Sequence, residues 1–225
     1  MKRTSGRLQW ERSEKKILKI IEEYMKFPGS WLLDAGCGTG RLLPRFQDYF
    51  DKILATDRDP AQIKKAKDLV RSRGFADKVV FETTSIEELS WPKASIDAIL
   101  CSHLLQHINT DSVPLVLQKF GTLSKANGTL FIMTTHAKNQ DYFAKEYLIG
   151  QELIEEKISE EEFNSLISNK SNILPLHFFS TKSIQNAMRD SGYKLLDYRL
   201  FHIVNRIDTK RKEARDMLLV GQKTS

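Results

Sequence analysis

Five short apolar runs, Trp31 to Ala35, Lys52 to Thr56, Lys78 to Glu82, Ile96 to Cys101 and Thr129 to Thr134, punctuate the chain, and between them the hydrophobic spacing switches to that of helices. Runs this short, without polar alternation, read as strands buried on both faces. Strands joined by connections long enough for a helix pair in parallel, because only a crossover returns the chain in the same direction. The connecting helices fall at Leu42 to Phe50, at Pro60 to Gly74 and near 111 to 124. Pro60 pre-sets the first turn of its helix, and Gly74 supplies the stop. The expected fold class is α/β, a doubly wound, mostly parallel sheet.

Before the first strand, residues 12–26 place Ile17, Leu18, Ile20, Ile21 and Tyr24 on one stripe, a helix that Pro28 and Gly29 end. After the fifth strand, two amphipathic helical stretches are expected near 141–157 and 159–169, within a helical insertion spanning 138–176. A helix from Ser180 to Ser191, stopped by Gly192, precedes two closing strands, Tyr193 to Val204 and Asp216 to Gln222. They bring the sheet to seven strands and form a C-terminal antiparallel hairpin. With 225 residues, the whole of 1–225 is expected to be one elaborated domain.

In such a sheet ligands bind beyond the carboxyl ends of the strands. There the first strand runs into Asp34-Ala35-Gly36-Cys37-Gly38-Thr39-Gly40-Arg41, and the second ends in Asp57, 21 residues after Gly36. The glycines permit a tight turn that a ligand can approach closely, and a carboxylate at that distance can accept both hydroxyls of a ribose. A dinucleotide and an adenosyl ligand both suit these two features. The dinucleotide fingerprint wants Gly or Ala at 41, where Arg41 stands. No glycine-lysine-serine or glycine-lysine-threonine triplet occurs, which excludes a P-loop.

The pattern LLDAGCGTGR followed by ILATDRDP resembles the first two motifs of the class I S-adenosyl-L-methionine-dependent methyltransferases, and the resemblance runs through residues 30–135. It implies a Rossmann-like fold and S-adenosyl-L-methionine as cofactor. It assigns Asp34 and the turn of Gly36, Cys37, Gly38 and Gly40 to the methionine portion, Asp57 to the ribose, and Ser85 with Ile86 to the adenine, and it counts Arg58 among the cofactor-binding residues. Ser85 departs from the family pattern, since many members have Asp there. Cys101, Ser102 and His103 would line the sulfonium end. The late HFFSTKSIQNAMRDSGY is similar to a segment of the small-molecule branch, which implies a small-molecule methyl acceptor.

A sulfonium methyl is already activated, so its in-line displacement depends mainly on near-attack geometry and exclusion of water. A base is needed only for an acceptor that is protonated at neutral pH. His107 and His103 are the candidates for that catalytic role. Their spacing, HLLQH, would also suit a metal, but no third ligand or HExxH glutamate accompanies them, so no metal is expected. His136 and His177 fall where the rim of a site would be. Cys37 reads as a small filler, and Arg7 and Trp10 belong to a leading segment that could close over the cofactor.

Charge bears on the acceptor. Thirty-five Lys and Arg against 29 Asp and Glu give +6, but residues 141–170 hold three Lys and eight acids, which leaves +11 elsewhere. Basic runs at Lys2 to Lys19, Lys64 to Lys78 and Arg206 to Arg215 keep an RNA or protein acceptor as the alternative, while acids beside the entrance argue against nucleic acid. A third reading is a protein that binds the cofactor without turnover. The insertion, through Tyr142, Phe143, Tyr147, Leu148 and Phe163, would serve as a lid over the acceptor. Two isolated cysteines, no apolar stretch of membrane-spanning length and a polar start predict a reducing, cytoplasmic setting with no membrane partner.

Overall fold

The computed structural model describes residues 16–25, 29–149, 152–169, 173–201 and 216–225. Helix α1 covers 16–24 among these, with Ile17, Leu18 and Ile21 buried along one stripe. Its expected beginning at 12 and its stop at Pro28 lie outside the described residues, as do Arg7, Trp10 and the Arg206 to Arg215 run.

Strand β1 (Gly29–Ala35) leads through the glycine turn and one helical turn, α2 (Leu43–Phe46), to β2 (Phe50–Thr56). Helix α3 (Pro60–Ser72) follows, its N-terminus capped by Asp59 accepting from the Ala61 amide at 2.8 Å. Then come β3 (Val79–Glu82), β4 (Ile96–Ser102), α4 (Ser112–Leu123) and the long β5 (Ser124–Ala137). These five strands pair in parallel in the order β3-β2-β1-β4-β5. The closing strands β9 (Tyr193–Phe201) and β10 (Asp216–Lys223) are antiparallel, β10 lying between β5 and β9. This is the expected seven-stranded sheet with its hairpin.

Side chains of successive strand residues go to opposite faces, and each face has its own core. Leu32, Ile53, Ala55, Leu100, Phe131 and Leu218 pack under α1, α2 and α3. Their neighbours Leu33, Leu54, Ile99, Ile132 and Leu219 pack with Val116, Phe120, Ile184 and Met188 from α4 and α6 (Thr181–Asp190). Burial on both faces is what a continuous apolar strand requires, and it explains why period-2 patterning is missing from the sequence.

The insertion corrects the sequence reading. Residues expected to be a helix at 141–157 form an antiparallel pair, β6 (Tyr142–Ile149) and β7 (Glu152–Ile158). Only the second expected helix is present, as α5 (Glu160–Ser168), capped by Ser159. A further strand, β8 (Leu174–Ser180), pairs antiparallel with β6 and, through Phe179 and Ser180, parallel with the end of β5. The apolar positions of 142–158 satisfy either period, and pairing with β8 decides for strand. Gly150, midway along that segment, is the breaker that the helical reading passed over.

Asp141 fastens this extension. Its carboxylate accepts from the Ser180 amide at 2.8 Å, from the Ser183 hydroxyl at 2.9 Å and from His177 Nε2 at 3.2 Å. Burial would raise its pKa, but the hydrogen bonds from His177, Ser180 and Ser183 outweigh that and hold it at about 2.

Candidate active site

A cleft of about 250 Å3 opens at the carboxyl ends of β1, β2, β3 and β4. Its walls are Gly36 from the glycine turn, Thr56, Asp57 and Arg58 from the end of β2, Thr84 to Glu87 after β3, and His103, Leu104, His107, Ile108, Asn109, Ser112 and Val116 from the β4–α4 connection and α4. Four separate loops converge there because parallel strands all deliver their ends to one edge.

The turn is held open by its glycines. Gly36, Gly38 and Gly40 all have positive φ. A Cβ on Gly38 would meet no protein atom within 4 Å, so the space beside this backbone is open to a ligand. At Gly40 a Cβ would stand 3.0 Å from that of Ala66 and 2.9 Å from Leu43 Cδ1, so this glycine seats α3 against the turn. Asp57 bridges both loops, accepting from the Gly38 amide at 2.9 Å through Oδ2 and from the Asp59 amide at 2.9 Å through Oδ1. Each carboxylate oxygen keeps a further lone pair for a ligand hydroxyl.

Asp34 is 3% exposed at the end of β1. Burial pushes its carboxyl up to about 7, with Asp57 adding to the rise and Arg41 opposing it. A buried carboxyl at this value is poised to ionise when a cation arrives. Cys37 is buried in the core under α3, and burial, with Asp34 and Asp57 nearby, raises its thiol well above the ordinary range, in keeping with a filler. Cys101 likewise packs into the α4 core, its thiol pushed by burial up to about 12, so its side chain does not reach the cleft. The Ser102 hydroxyl is buried without a hydrogen-bond partner and also does not line it.

Ile86 is buried in the cleft wall. Ser85 lines the cleft too, but its hydroxyl serves its own turn, donating to Glu88 Oε2 at 3.2 Å and accepting from the Glu88 amide at 3.3 Å. Arg58 stands exposed at the mouth.

The two histidines of HLLQH do not share a helical face. His103 adopts φ +56, a left-handed conformation that costs a non-glycine residue about 1–3 kcal/mol, and its amide donates to the Met133 carbonyl at 2.8 Å. A short 3-10 turn, Leu105–His107, follows. His107 Nδ1 is 3.2 Å from the Pro175 carbonyl of β8, so that nitrogen carries the proton. Burial lowers the pKa of both rings, that of His103 to about 4, so both are neutral at physiological pH.

The connection is also tied to α5, where Asn164 accepts from the Thr110 amide at 3.1 Å and donates to its hydroxyl at 3.0 Å. Sequence reasoning had not singled out Gln106, Asn109 or Ser112, although they continue the HLLQH segment into the next helix. His136 and His177 lie on the neighbouring strands β5 and β8, away from the cleft lining.

A two-sided parallel sheet with a glycine turn, a buried acid at the first strand end and a second acid at the end of the next strand is the class I methyltransferase architecture. The chain belongs to the family described as "Methyltransferase domain", whose model matches residues 9–198. It is 29% identical over 119 residues to a ubiquinone biosynthesis O-methyltransferase of Xanthomonas campestris, an alignment covering 52% of this chain and 48% of that protein. It thus spans about half the length of the curated relatives it matches. Among solved structures, a Burkholderia thailandensis 1,6-didemethyltoxoflavin-N1-methyltransferase, crystallised with its substrate and S-adenosylhomocysteine, aligns with TM-score 0.67 and 16% identity over 92% of this chain and 76% of that one. The cyclase SpnF aligns with TM-score 0.70 and 16% identity over 99% and 86%.

Proposed function

We propose that this protein is an S-adenosyl-L-methionine-dependent methyltransferase that acts on a small-molecule acceptor. One observation carries the reading: the Asp57 carboxylate lines a cleft at the strand ends and accepts from the open backbone of the glycine turn at Gly38, with Asp34 buried at the end of β1 just before that turn. The residues fit the cofactor in chemistry as well as place. A buried carboxyl with a raised pKa suits the methionine ammonium, a carboxylate at the β2 end suits ribose hydroxyls, and Ile86 and Leu104 offer apolar surface for adenine. When bound, the cofactor supplies an electrophilic methyl group on a sulfonium. Asp34 and the turn orient its amino-acid end, Asp57 holds the ribose, and the apolar wall excludes water from the reacting centre. His103 and His107 supply neutral imidazoles for a protonated acceptor.

The extension formed by 138–176 supports an acceptor-side role, because β8 and α5 bond directly to the loop that lines the cleft. The O-methyltransferase relatives and the ligand-bound N-methyltransferase favour a small acceptor over RNA. No helix among the described residues is long and apolar enough to cross a membrane. Both cysteines are buried as free thiols, which supports a reducing, cytoplasmic setting. Calorimetry with S-adenosylhomocysteine and with NAD tests the cofactor assignment. Binding of the first and not the second is expected, and the reverse would overturn it. Product formation across a panel of hydroxylated and amino-substituted small molecules then separates an enzyme from a protein that only binds the cofactor.

A further inference from the structure

We infer that β9 is a docking edge for a second copy of this chain: two β9 strands pair antiparallel across a twofold axis at Tyr198, which sets each Asp197 opposite the partner's Arg199. This is independent of what the cleft binds.

Among the described residues, β3, β7 and β9 each pair with a neighbour on one side only. Such an edge presents unpaired N–H and C=O groups to any strand that fits. β3 is only four residues long, and β7, Glu-Leu-Ile-Glu-Glu-Lys-Ile, carries acids that a copy of the same strand would repel. β9 is nine residues long and, beyond an irregularity opposite Val220 and Gly221, pairs regularly with β10 from Asp197 to Phe201. Asp197 and Arg199 stand beside Val220 and Leu218 on the α1 face, Tyr198 and Leu200 beside Leu219 and Met217 on the α6 face. Lone edges are commonly blunted by lysine or proline, yet here Leu196, Tyr198 and Leu200 are 43%, 47% and 43% exposed.

The order of charges identifies the occupant. Across a twofold axis, residues equally far from the centre face each other, so a pairing centred on Tyr198 opposes Asp197 to the partner's Arg199 and Arg199 to the partner's Asp197. Opposite charges directly across a strand pair stabilise it, and like charges destabilise it. Centring on Asp197 or on Arg199 opposes like charges, and a centre between residues leaves both charges facing uncharged side chains. Residues opposite each other in a continuous sheet share a face, so both ion pairs form on the α1 face. In the single chain Arg199 turns back on Asp197, with Nε at 3.1 Å and Nη2 at 3.0 Å from Oδ2, and the Tyr24 hydroxyl donates to the same oxygen at 3.4 Å. A guanidinium has five donors, so Arg199 can hold a second carboxylate as well. The cleft lies at the ends of β1 to β4, away from this edge, so each copy keeps its own site open.

Analytical ultracentrifugation of the full chain from about 1 to 100 µM reads the association, since a pairing of this length is at the small end of specific interfaces. Wild type should dimerise in that range. Asp197→Arg and Arg199→Asp each put like charges across both pairs and should weaken association about tenfold or more. The two variants mixed together, and the double variant carrying both changes, regain opposite charges and should dimerise as wild type does. Recovery in the mixture also shows that both single variants fold. Under mild oxidation Tyr198→Cys should give a disulfide-linked dimer, because opposed Cα atoms stand about 4.5–5.5 Å apart. Leu200→Cys should not, its two copies lying about 14 Å apart at about 3.4 Å per residue. Cys37 and Cys101 are buried and do not compete. A wild type still monomeric at about 100 µM, a dimer that survives both single reversals, a mixture that fails to associate, or equal cross-linking at 198 and 200 would overturn the inference.

Discussion

Cofactor binding should release a proton from Asp34. Desolvation holds this carboxyl at about 7 in the free protein, against an ordinary value of 3.8. A ligand ammonium beside it favours the ionised form, so binding at pH 6, where the group is about 90% protonated, should release close to one proton, and at pH 8 only about 0.1. Affinity should then fall about a hundredfold between pH 8 and pH 5, roughly 2.7 kcal/mol. Folding linkage has the opposite sign. A raised carboxyl binds its proton more tightly folded than unfolded, so its stability contribution, about 4 kcal/mol, is present below 3.8 and lost as pH rises through 7. Titrations with S-adenosylhomocysteine at pH 6, in two buffers of different ionisation enthalpy, measure the released proton. Asp34→Asn should abolish the buffer dependence and weaken binding above pH 7. Identical enthalpies in the two buffers for the wild type would refute the assignment of Asp34 to the ammonium.

Asp57→Ala should weaken S-adenosylhomocysteine by about 1–3 kcal/mol, the range for a lost charge-assisted hydrogen bond, and equal affinity in calorimetry would remove the ribose role. Gly40→Ala should lower the melting temperature more than Gly38→Ala, since both pay for positive φ but only the first meets Ala66 and Leu43. Asp141→Asn should cost about 2 kcal/mol at neutral pH. Because a depressed carboxyl stabilises above its unfolded pKa of 3.8 and loses that as pH falls through about 2, the difference from wild type in urea unfolding should shrink over that window. Asn164→Ala should speed hydrogen exchange in α5 while leaving S-adenosylhomocysteine affinity within about tenfold, roughly 1.4 kcal/mol.

The central sheet was legible because its constraints are local. Trp31 to Ala35 and the four later runs are apolar on both faces, Pro60 and Gly74 mark the ends of α3 where the structure has Pro60–Ser72, and the glycine turn advertises its own backbone. From these the doubly wound parallel sheet and a glycine turn at the carboxyl end of its first strand were expected. The insertion was not, because residues 142–158 fit a helix or a strand equally well. Their choice depends on β8, a partner about 30 residues away in the chain. Asp141 meeting His177, 36 residues on, is likewise invisible to local patterning.

Within the site the division is the same. The sequence identified His103 and His107 as candidates, and their i, i+4 spacing suggested a shared helical face that the left-handed backbone at His103 removes. It placed Cys101 at the sulfonium end, but alternation along β4 turns that side chain into the core. Types and spacings alone thus determined the parallel sheet and the position of the glycine turn at its carboxyl edge. Which nitrogen of His107 carries a proton was decided only in three dimensions, by the Pro175 carbonyl, because a tautomer is fixed by partners that long-range packing delivers.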